Sequence, residues 1–146
     1  MYDRPVRMVM RRRKVCRAAP NTSVRRAAKL MADKNAGAVL VVADEGRLAG
    51  IFTERDLAFR VVAQGRDPDA TILVDVMTPS PRTIDADEPF GYALLLMHEG
   101  GFRHLPVLED GKLIGIVSAR SAMDPDLEEF ASEAQRRRHY GKKLQA

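Results

Sequence analysis

The chain has 146 residues, of which 45% are apolar, 30% charged and 5% aromatic, with one cysteine and a formal net charge of +4. A chain of this length can bury about two-thirds of its unfolded surface in one domain or two small packed domains, which excludes a disordered tail protein. No apolar run reaches the roughly 20 residues needed to cross a bilayer, and no signal-peptide core follows the N-terminal arginines. With the lone Cys16 unable to form an internal disulfide, we expect a cytoplasmic protein without a membrane segment.

The basic residues are concentrated at the two ends of the chain. Residues 1–17 carry a charge of +6 and residues 135–146 a charge of +5, so the body between them carries −7. Basic tails can bind nucleic acid or an anionic membrane surface. Nucleic acid is nevertheless not the favoured partner, because aromatic residues are few and no helix-turn-helix or RNA-binding signature is present.

Taken in chain order, the first predicted elements are a helix, a hairpin and a second helix. Apolar residues at helical spacing from Val24 to Met31 follow possible capping residues at positions 21–23. Two apolar runs, 38–42 and 48–52, are joined by an acidic turn with a glycine, which predicts an antiparallel hairpin. Helical spacing resumes from Leu57 to Val62.

The same order of patterns returns 65 to 66 residues later. A helical pattern from Phe90 to Met97 precedes apolar runs at 104–108 and 113–117, again joined by an acidic turn with a glycine, and helical spacing resumes at Met123. The change in spacing makes the first hairpin one residue longer than the second. Because neither copy is large enough to be stable alone, we expect the two copies to share a core.

These patterns divide the chain into five segments. They are a basic N-terminal arm (1–14), the first repeat (15–65), a linker (66–81), the second repeat (82–123), and a polar C-terminal helix with a basic tail (124–146). The linker is rich in Asp and Pro, and Gly65 precedes it. Its expected contacts with the core are Ile72, Val74, Val76 and Met77.

Three phrases of the sequence carry a family resemblance. They are Val74-Asp75-Val76-Met77-Thr78-Pro79, Arg103-His104-Leu105-Pro106-Val107, and the paired motifs Gly50-Ile51-Phe52-Thr53 and Gly115-Ile116-Val117-Ser118. Over roughly residues 10–123 the chain resembles a tandem pair of CBS domains, the Bateman module. The resemblance implies an α/β (α+β) fold of two β-α-β-β-α repeats related by pseudo-twofold symmetry. It also implies clefts that bind AMP, ADP, ATP, NAD(H) or S-adenosylmethionine, and a disc-like homodimer.

The motif after the first hairpin contains two candidate ligand-binding residues. Thr53 stands at the predicted start of a helix, where a hydroxyl and free backbone N–H groups suit a phosphate. Asp56 follows one turn later, where a carboxylate can accept both hydroxyls of a ribose. Thr53 and Asp56 also fit a helix-capping arrangement that requires no ligand.

The second copy departs from this pattern, because it keeps the hydroxyl of Ser118 but has Ser121 in place of the acidic residue. A neutral hydroxyl holds a diol less well than a carboxylate does, so we expect one good nucleoside site and one weak, altered or empty one. Arg103 and His104 are candidate phosphate ligands, and the first copy has Gly37 and Ala38 at those positions. Two further candidates lie inside the motifs, Arg55 and Arg120.

The leading interpretation is a non-enzymatic regulatory module that binds an adenosine-containing ligand as a cytoplasmic energy or cofactor sensor. It is non-enzymatic because no catalytic constellation is present, and it requires no cofactor or metal. The resemblance implies a homodimer, and any regulated target is a separate protein or none. The alternative is a structural or nucleic-acid-interacting dimer that acts through its basic termini, including Arg11-Arg12-Arg13-Lys14 and Arg136-Arg137-Arg138.

Overall fold

The computed structural model describes residues 2–10, 15–122, 133–134 and 136–139. In the first half of the chain the elements are α1 (Val6–Val9), β1 (Cys16–Ala18), α2 (Val24–Lys34), β2 (Ala38–Val42), β3 (Leu48–Thr53) and α3 (Glu54–Asp56), which continues as a π-helix over Leu57–Val62. In the second half they are α4 (Leu73–Val76), β4 (Thr78–Pro79), β5 (Ile84–Asp85), α5 (Phe90–Gly100), β6 (His104–Glu109), β7 (Lys112–Ser118) and a 3-10 turn over Ala119–Ala122.

These elements form two small sheets, one in each repeat. The first sheet has the order β1-β2-β3-β4 and the second the order β5-β6-β7. In both sheets the first strand is parallel to the second, and the next two strands form an antiparallel hairpin. The predicted α+β class, with two repeated units, is confirmed.

The two hairpins match each other in detail. Both have a register shift at the same place, between Val41 and Val42 in the first and between Val107 and Leu108 in the second. The first turn is a 3-10 turn over Asp44–Gly46, whereas only two residues separate β6 from β7. The expected extra residue in the first hairpin therefore lies in its turn.

The helix that precedes each hairpin lies against its own sheet. In α2 the Ser23 hydroxyl accepts a hydrogen bond from the Arg26 N–H at 3.2 Å, which caps the helix start. Val24, Ala27 and Met31 are then buried on one face, as their spacing predicts. In α5 the buried residues are Phe90, Ala93, Leu96 and Met97.

Each unit completes its core with a short helix that precedes the other unit in the chain. Val6 of α1 and the following Met10 are buried in the second core, and the Val6 N–H donates to the Glu88 carbonyl at 2.8 Å. Arg7 adds ion pairs to Asp87 at 2.5 Å and to Glu109 at 3.0 Å. The segment treated above as a basic arm thus contributes apolar side chains to the second unit.

The counterpart of α1 is α4, which packs into the first core. Leu73 is fully buried there and its N–H donates to the Thr22 carbonyl at 2.9 Å. Val76 and Met77 are buried as expected, but the expectation for Val74 is wrong, since its side chain is 46% exposed. In a helix, positions 73, 76 and 77 share one face and position 74 turns away.

The two sheets meet in a third apolar cluster. Ala38, Leu40 and Ile51 of the first unit are buried there, and Leu113 and Ile116 of the second unit pack against them. This cluster joins the units into one body, as expected for copies that are too small to be stable alone.

The structure describes little of the chain ends. The basic run 11–14 and the helix expected from Met123 onward lie outside the described residues, as does most of the C-terminal segment. Residues 133–134 and 136–139 are helical, and Arg137 forms an ion pair with Glu133 at 2.7 Å. Within the described ranges no helix has the length and apolar character needed to cross a bilayer.

Neighbouring positions of α4 provide a test of the exchanged packing. We expect Leu73→Ala to lower the free energy of unfolding by about 2–5 kcal/mol, because it leaves a cavity in the first core. Val74→Ala, at an exposed position, should change it by less than about 0.5 kcal/mol. Urea denaturation followed by circular dichroism measures both values, and equal losses would contradict the burial of Leu73.

Candidate ligand site between the two units

The motif after the first hairpin and the basic pair before β6 meet at Gly37. A Cβ atom placed on Gly37 would lie 2.9 Å from the Glu54 Oε1 atom and 3.1 Å from the His104 Nε2 atom. Glu54 belongs to the first unit and His104 to the second, so both side chains occupy the space that the missing side chain leaves open. This contact brings the two predicted parts of the site together.

Backbone hydrogen bonds hold the ends of both hairpins in the same way. The Glu54 N–H donates to the Gly37 carbonyl at 3.1 Å, and the Ala119 N–H donates to the Arg103 carbonyl at 2.9 Å. In each unit the residue after the hairpin is thus bonded to the residue before it. The pseudo-twofold relation between the copies therefore extends to the backbone of the candidate site.

In the first unit, Thr53 and Asp56 form the capping arrangement described above. The Asp56 N–H donates to the Thr53 hydroxyl at 3.2 Å, and the Thr53 N–H donates to Asp56 Oδ2 at 3.0 Å. The other carboxylate oxygen, Oδ1, lies 3.5 Å from the Arg60 Nε atom. The Asp56 side chain is 12% exposed, so it is held at the start of α3 with a small accessible edge.

The second unit repeats this arrangement with neutral groups. The Ser118 N–H donates to the Ser121 hydroxyl at 3.3 Å, and the two hydroxyl oxygens are also 3.3 Å apart. Ser121 is only 2% exposed. Ser121 therefore takes the capping role of Asp56 but offers no carboxylate oxygen.

The arginine candidates differ in where they lie. Arg103 is exposed beside His104, and Arg120 is near enough to act electrostatically on His104. Arg55, in contrast, has its guanidinium carbon 5.0 Å from the centre of the Phe59 ring, in a cation–π contact. The structure therefore brings Glu54, which lies within the Thr53–Asp56 motif, against His104, with Arg103 and Arg120 near enough to act on that histidine, and leaves Arg55 stacked on Phe59.

Comparison with known proteins decides the family. The family model described as "CBS domain" matches this chain twice, over residues 6–63 and 73–125. The chain belongs to the CBS domain family. Both matches begin at the exchanged helices, at the start of α1 and of α4, so each of these helices belongs to a CBS domain whose partner domain it packs against.

Three similar proteins illustrate the relationship. A candidate signal-transduction protein with CBS domains from Burkholderia ambifaria is 37% identical, with a TM-score of 0.78 over 86% of this chain and 95% of that one. A CBS domain protein from Pyrobaculum aerophilum, solved in complex with AMP, is 24% identical, with a TM-score of 0.74 over 81% of this chain and 89% of that one, and shows the fold alone. The Meiotically up-regulated gene 70 protein of Schizosaccharomyces pombe is 41% identical over 73% of this chain, which spans 16% of that protein's length.

Charged groups of both signs surround His104 at the contact between the two CBS domains. Burial lowers the pKa of His104 below its ordinary value of 6.5, the nearby Glu54 carboxylate opposes this shift, and Arg103 and Arg120 add to it. His104 is therefore neutral at pH 7. Among the residues that the structure describes, the charges that act on His104 are the Glu54 carboxylate and the guanidinium groups of Arg103 and Arg120.

Two contributors to this contact, Glu54 and Gly37, are missing from the residues predicted to form the site. Glu54 lies inside the Thr53–Asp56 motif, where its charge is easily taken for that of a solvated helix residue. The sequence did contain one signal for this contact, because Gly37 occupies the position at which the second repeat has Arg103. A residue without a side chain at that point leaves room for groups from the other domain.

Two open clefts are lined by residues other than the predicted site residues. One of about 300 Å³ lies between the two hairpins and is lined by parts of both domains and of the linker, among them Arg47, Ser80, Thr83 and Leu113. A second, of about 540 Å³, lies beside Arg60 and Val76. Neither cleft is lined by Thr53, Asp56, Arg103 or His104.

The state of His104 leads to a pH dependence of stability. Because the pKa of His104 is lower in the folded chain, the unfolded chain binds a proton at this histidine more tightly. The stability that the neutral His104 contributes is therefore lost as the pH falls below about 6.5. We expect His104→Gln to lose less stability than the unmodified chain between pH 7.5 and pH 5. Urea denaturation at the two pH values measures this, with His98→Gln, at an exposed position, as the matched control. A His104→Gln variant with an unchanged pH dependence would refute the assignment.

Proposed function

We propose that this CBS pair binds one adenosine-containing ligand and acts as a cytoplasmic regulatory sensor of energy or cofactor state. The ligand class is AMP, ADP, ATP, NAD(H) or S-adenosylmethionine. The observation that carries the proposal is the contact at Gly37, where the hydroxyl-and-carboxylate motif of one domain adjoins the basic pair of the other. A nucleotide presents matching groups, a diol at one end and anionic oxygens at the other.

The first domain supplies the groups that recognise the nucleoside. Asp56 has accepting capacity left on Oδ1, because its backbone hydrogen bond uses the other oxygen. A carboxylate can accept from both hydroxyls of a ribose, and such charge-assisted bonds are about twice as strong as neutral ones. The Thr53 hydroxyl accepts from the Asp56 N–H and keeps its own proton for donation to a phosphate oxygen.

The second domain supplies the positive charge for the phosphate. Arg103 and Arg120 are permanently charged, and His104 becomes charged when a phosphate nearby favours its protonated form. Glu54 opposes the phosphate, and we infer that binding moves it away from His104.

The second, pseudo-symmetric position is a poor site in this proposal. Ser121 is buried and neutral where Asp56 has a carboxylate, and Gly37 and Ala38 lack the charge of Arg103 and His104. We therefore infer one nucleotide per chain.

Two relatives support a regulatory role of this kind. The Pyrobaculum aerophilum CBS domain protein was solved with AMP, and the Burkholderia ambifaria protein is a candidate for signal transduction. We propose that this chain likewise acts by binding rather than by catalysis. Its output is a change in affinity for a separate target protein.

Calorimetric titration with AMP, ADP, ATP, NADH and S-adenosylmethionine tests the proposed site. The sample is first unfolded and refolded to remove carried-over ligand. At least one of the five compounds should bind with a stoichiometry of one per chain. Asp56→Asn should weaken that binding at least about tenfold, since it replaces charge-assisted hydrogen bonds by neutral ones of similar geometry.

The matched control for Asp56→Asn is Asp69→Asn, which removes an exposed carboxylate paired with Arg25 away from the site. It should bind as the unmodified chain does. Circular dichroism shows that each variant is folded. The proposal fails if the folded, unmodified chain binds none of the five compounds, or if Asp56→Asn binds as tightly as Asp69→Asn.

We also propose that two copies of the chain associate as a homodimer. Large apolar side chains are exposed on helices of both domains, among them Phe59 (57%) and Val62 (67%) in the first and Tyr92 (41%) and Leu95 (49%) in the second. Exposed large apolar side chains that gather in a patch are typical of interfaces between subunits, and we propose that these residues form one.

Light scattering coupled to size-exclusion chromatography measures the association. The unmodified chain should elute with the mass of two copies. Val62→Asp combined with Leu95→Asp should shift it towards one copy, because charges would be buried without partners. An unmodified chain with the mass of a single copy would contradict the proposal.

A further inference from the structure

Arg60 forms a bridge between Asp56 and the segment that joins the two domains. Its Nε atom lies 3.5 Å from Asp56 Oδ1, and its Nη1 atom donates to the carbonyls of Val76 at 3.2 Å and Met77 at 3.0 Å. We infer that Arg60 is a positioning residue through which occupation of Asp56 changes the placement of the inter-domain segment. The inference rests on the function proposed above, since it concerns the same carboxylate.

The local backbone explains why Arg60 reaches both partners. The helix that begins at Glu54 widens into a π-helix over Leu57–Val62, and the Ala63 N–H bonds to the Ala58 carbonyl five residues back, at 2.9 Å. Arg60 is one turn after Asp56 and faces the end of α4. The carbonyls of Val76 and Met77 are among those left without helical partners at that end, so they accept hydrogen bonds from a cation readily.

The segment held by Arg60 leads directly to the second domain. Met77 packs on Gly50 of β3, and Thr78 pairs with Ile51 across the edge of the first sheet. The following residues, including Ser80 and Thr83, line the cleft between the two hairpins, and the chain then enters the second core. A shift of residues 76 and 77 is therefore passed to the boundary between the domains.

The Arg60 side chain also has room to change its conformation. It borders the open cleft of about 540 Å³, together with Phe59, Gln64, Arg66 and Asp75. Its side chain is 49% exposed, so its ion pair with Asp56 is accessible to solvent. Half-exposed pairs contribute little to stability, which allows the pair to be exchanged for other contacts at low cost.

A ligand acts on this bridge through competition for one carboxylate. Ribose hydroxyls that donate to Asp56 reduce the attraction between its Oδ1 atom and Arg60. The guanidinium then redistributes between Asp56, the two carbonyls and the open cleft. The chain thus has two arrangements, one with Arg60 paired to Asp56 and one with Arg60 turned away from it. Because the ligand contacts Asp56 differently in these two arrangements, it shifts the population between them.

The experiment uses three variants of the full chain. Arg60→Met keeps most of the side-chain stem and removes the charge. Arg60→Lys keeps the charge and removes the fork that reaches two partners. Arg66→Met is the matched control, since Arg66 lines the same cleft. Each is compared with the unmodified chain by calorimetry with the tightest-binding compound of the five, and by hydrogen–deuterium exchange of residues 73–81 with and without it.

In the unmodified chain and in Arg66→Met, the compound should change deuterium uptake in residues 76–80. In Arg60→Met that change should be lost and affinity should rise several-fold, because the cation that competes for Asp56 is gone, with Arg60→Lys in between. A purely structural role predicts the opposite pattern, in which Arg60→Met raises uptake equally with and without the compound and leaves affinity unchanged. That result, or no ligand-dependent change in the unmodified chain, overturns the inference and leaves the proposed site standing. If the unmodified chain binds none of the compounds, the proposed function fails first and the inference with it.

Discussion

The structure depends on an exchange of short helices between the two domains. α1 precedes the first domain but is buried in the second core, and α4 precedes the second domain but is buried in the first. Neither helix is long enough to be stable by itself, so each exists only through the apolar contacts it makes. The exchange, together with the cluster between the sheets, fixes the two domains against each other and holds the candidate site at their boundary.

Local patterns predicted much of this fold. Alternation of apolar runs with a glycine-containing turn is enough to define both hairpins, and helical spacing defines α2 and α5. The exchanged helices were not predicted. The first of them, α1, has only four residues and stands among arginines, a context that is typical of a solvated arm. A signal was nevertheless present, since Val6, Val9 and Met10 recur as Leu73, Val76 and Met77.

The candidate site was predicted as a set of residues but not as an arrangement. Thr53 and Asp56 are linked by local capping, so their relation is visible in the sequence. The approach of Glu54 to His104 depends on the packing of the two domains around Gly37, and no local pattern encodes that distance. The contacts of Arg60 could not be predicted from a local pattern either. Its partners Val76 and Met77 lie at the end of α4, in a segment that was predicted to be a linker.

The exchange of helices also has a consequence for the order in which the chain can fold. During synthesis the first domain can complete its core once α4 and β4 have left the ribosome, since all its parts then exist. Residues 6–10 are made before the first domain, yet their partners in α5 and β6 are made after it, so this segment has no core to pack into while the first domain is made. The apolar face of residues 6–10 is thus open to other partners throughout that interval.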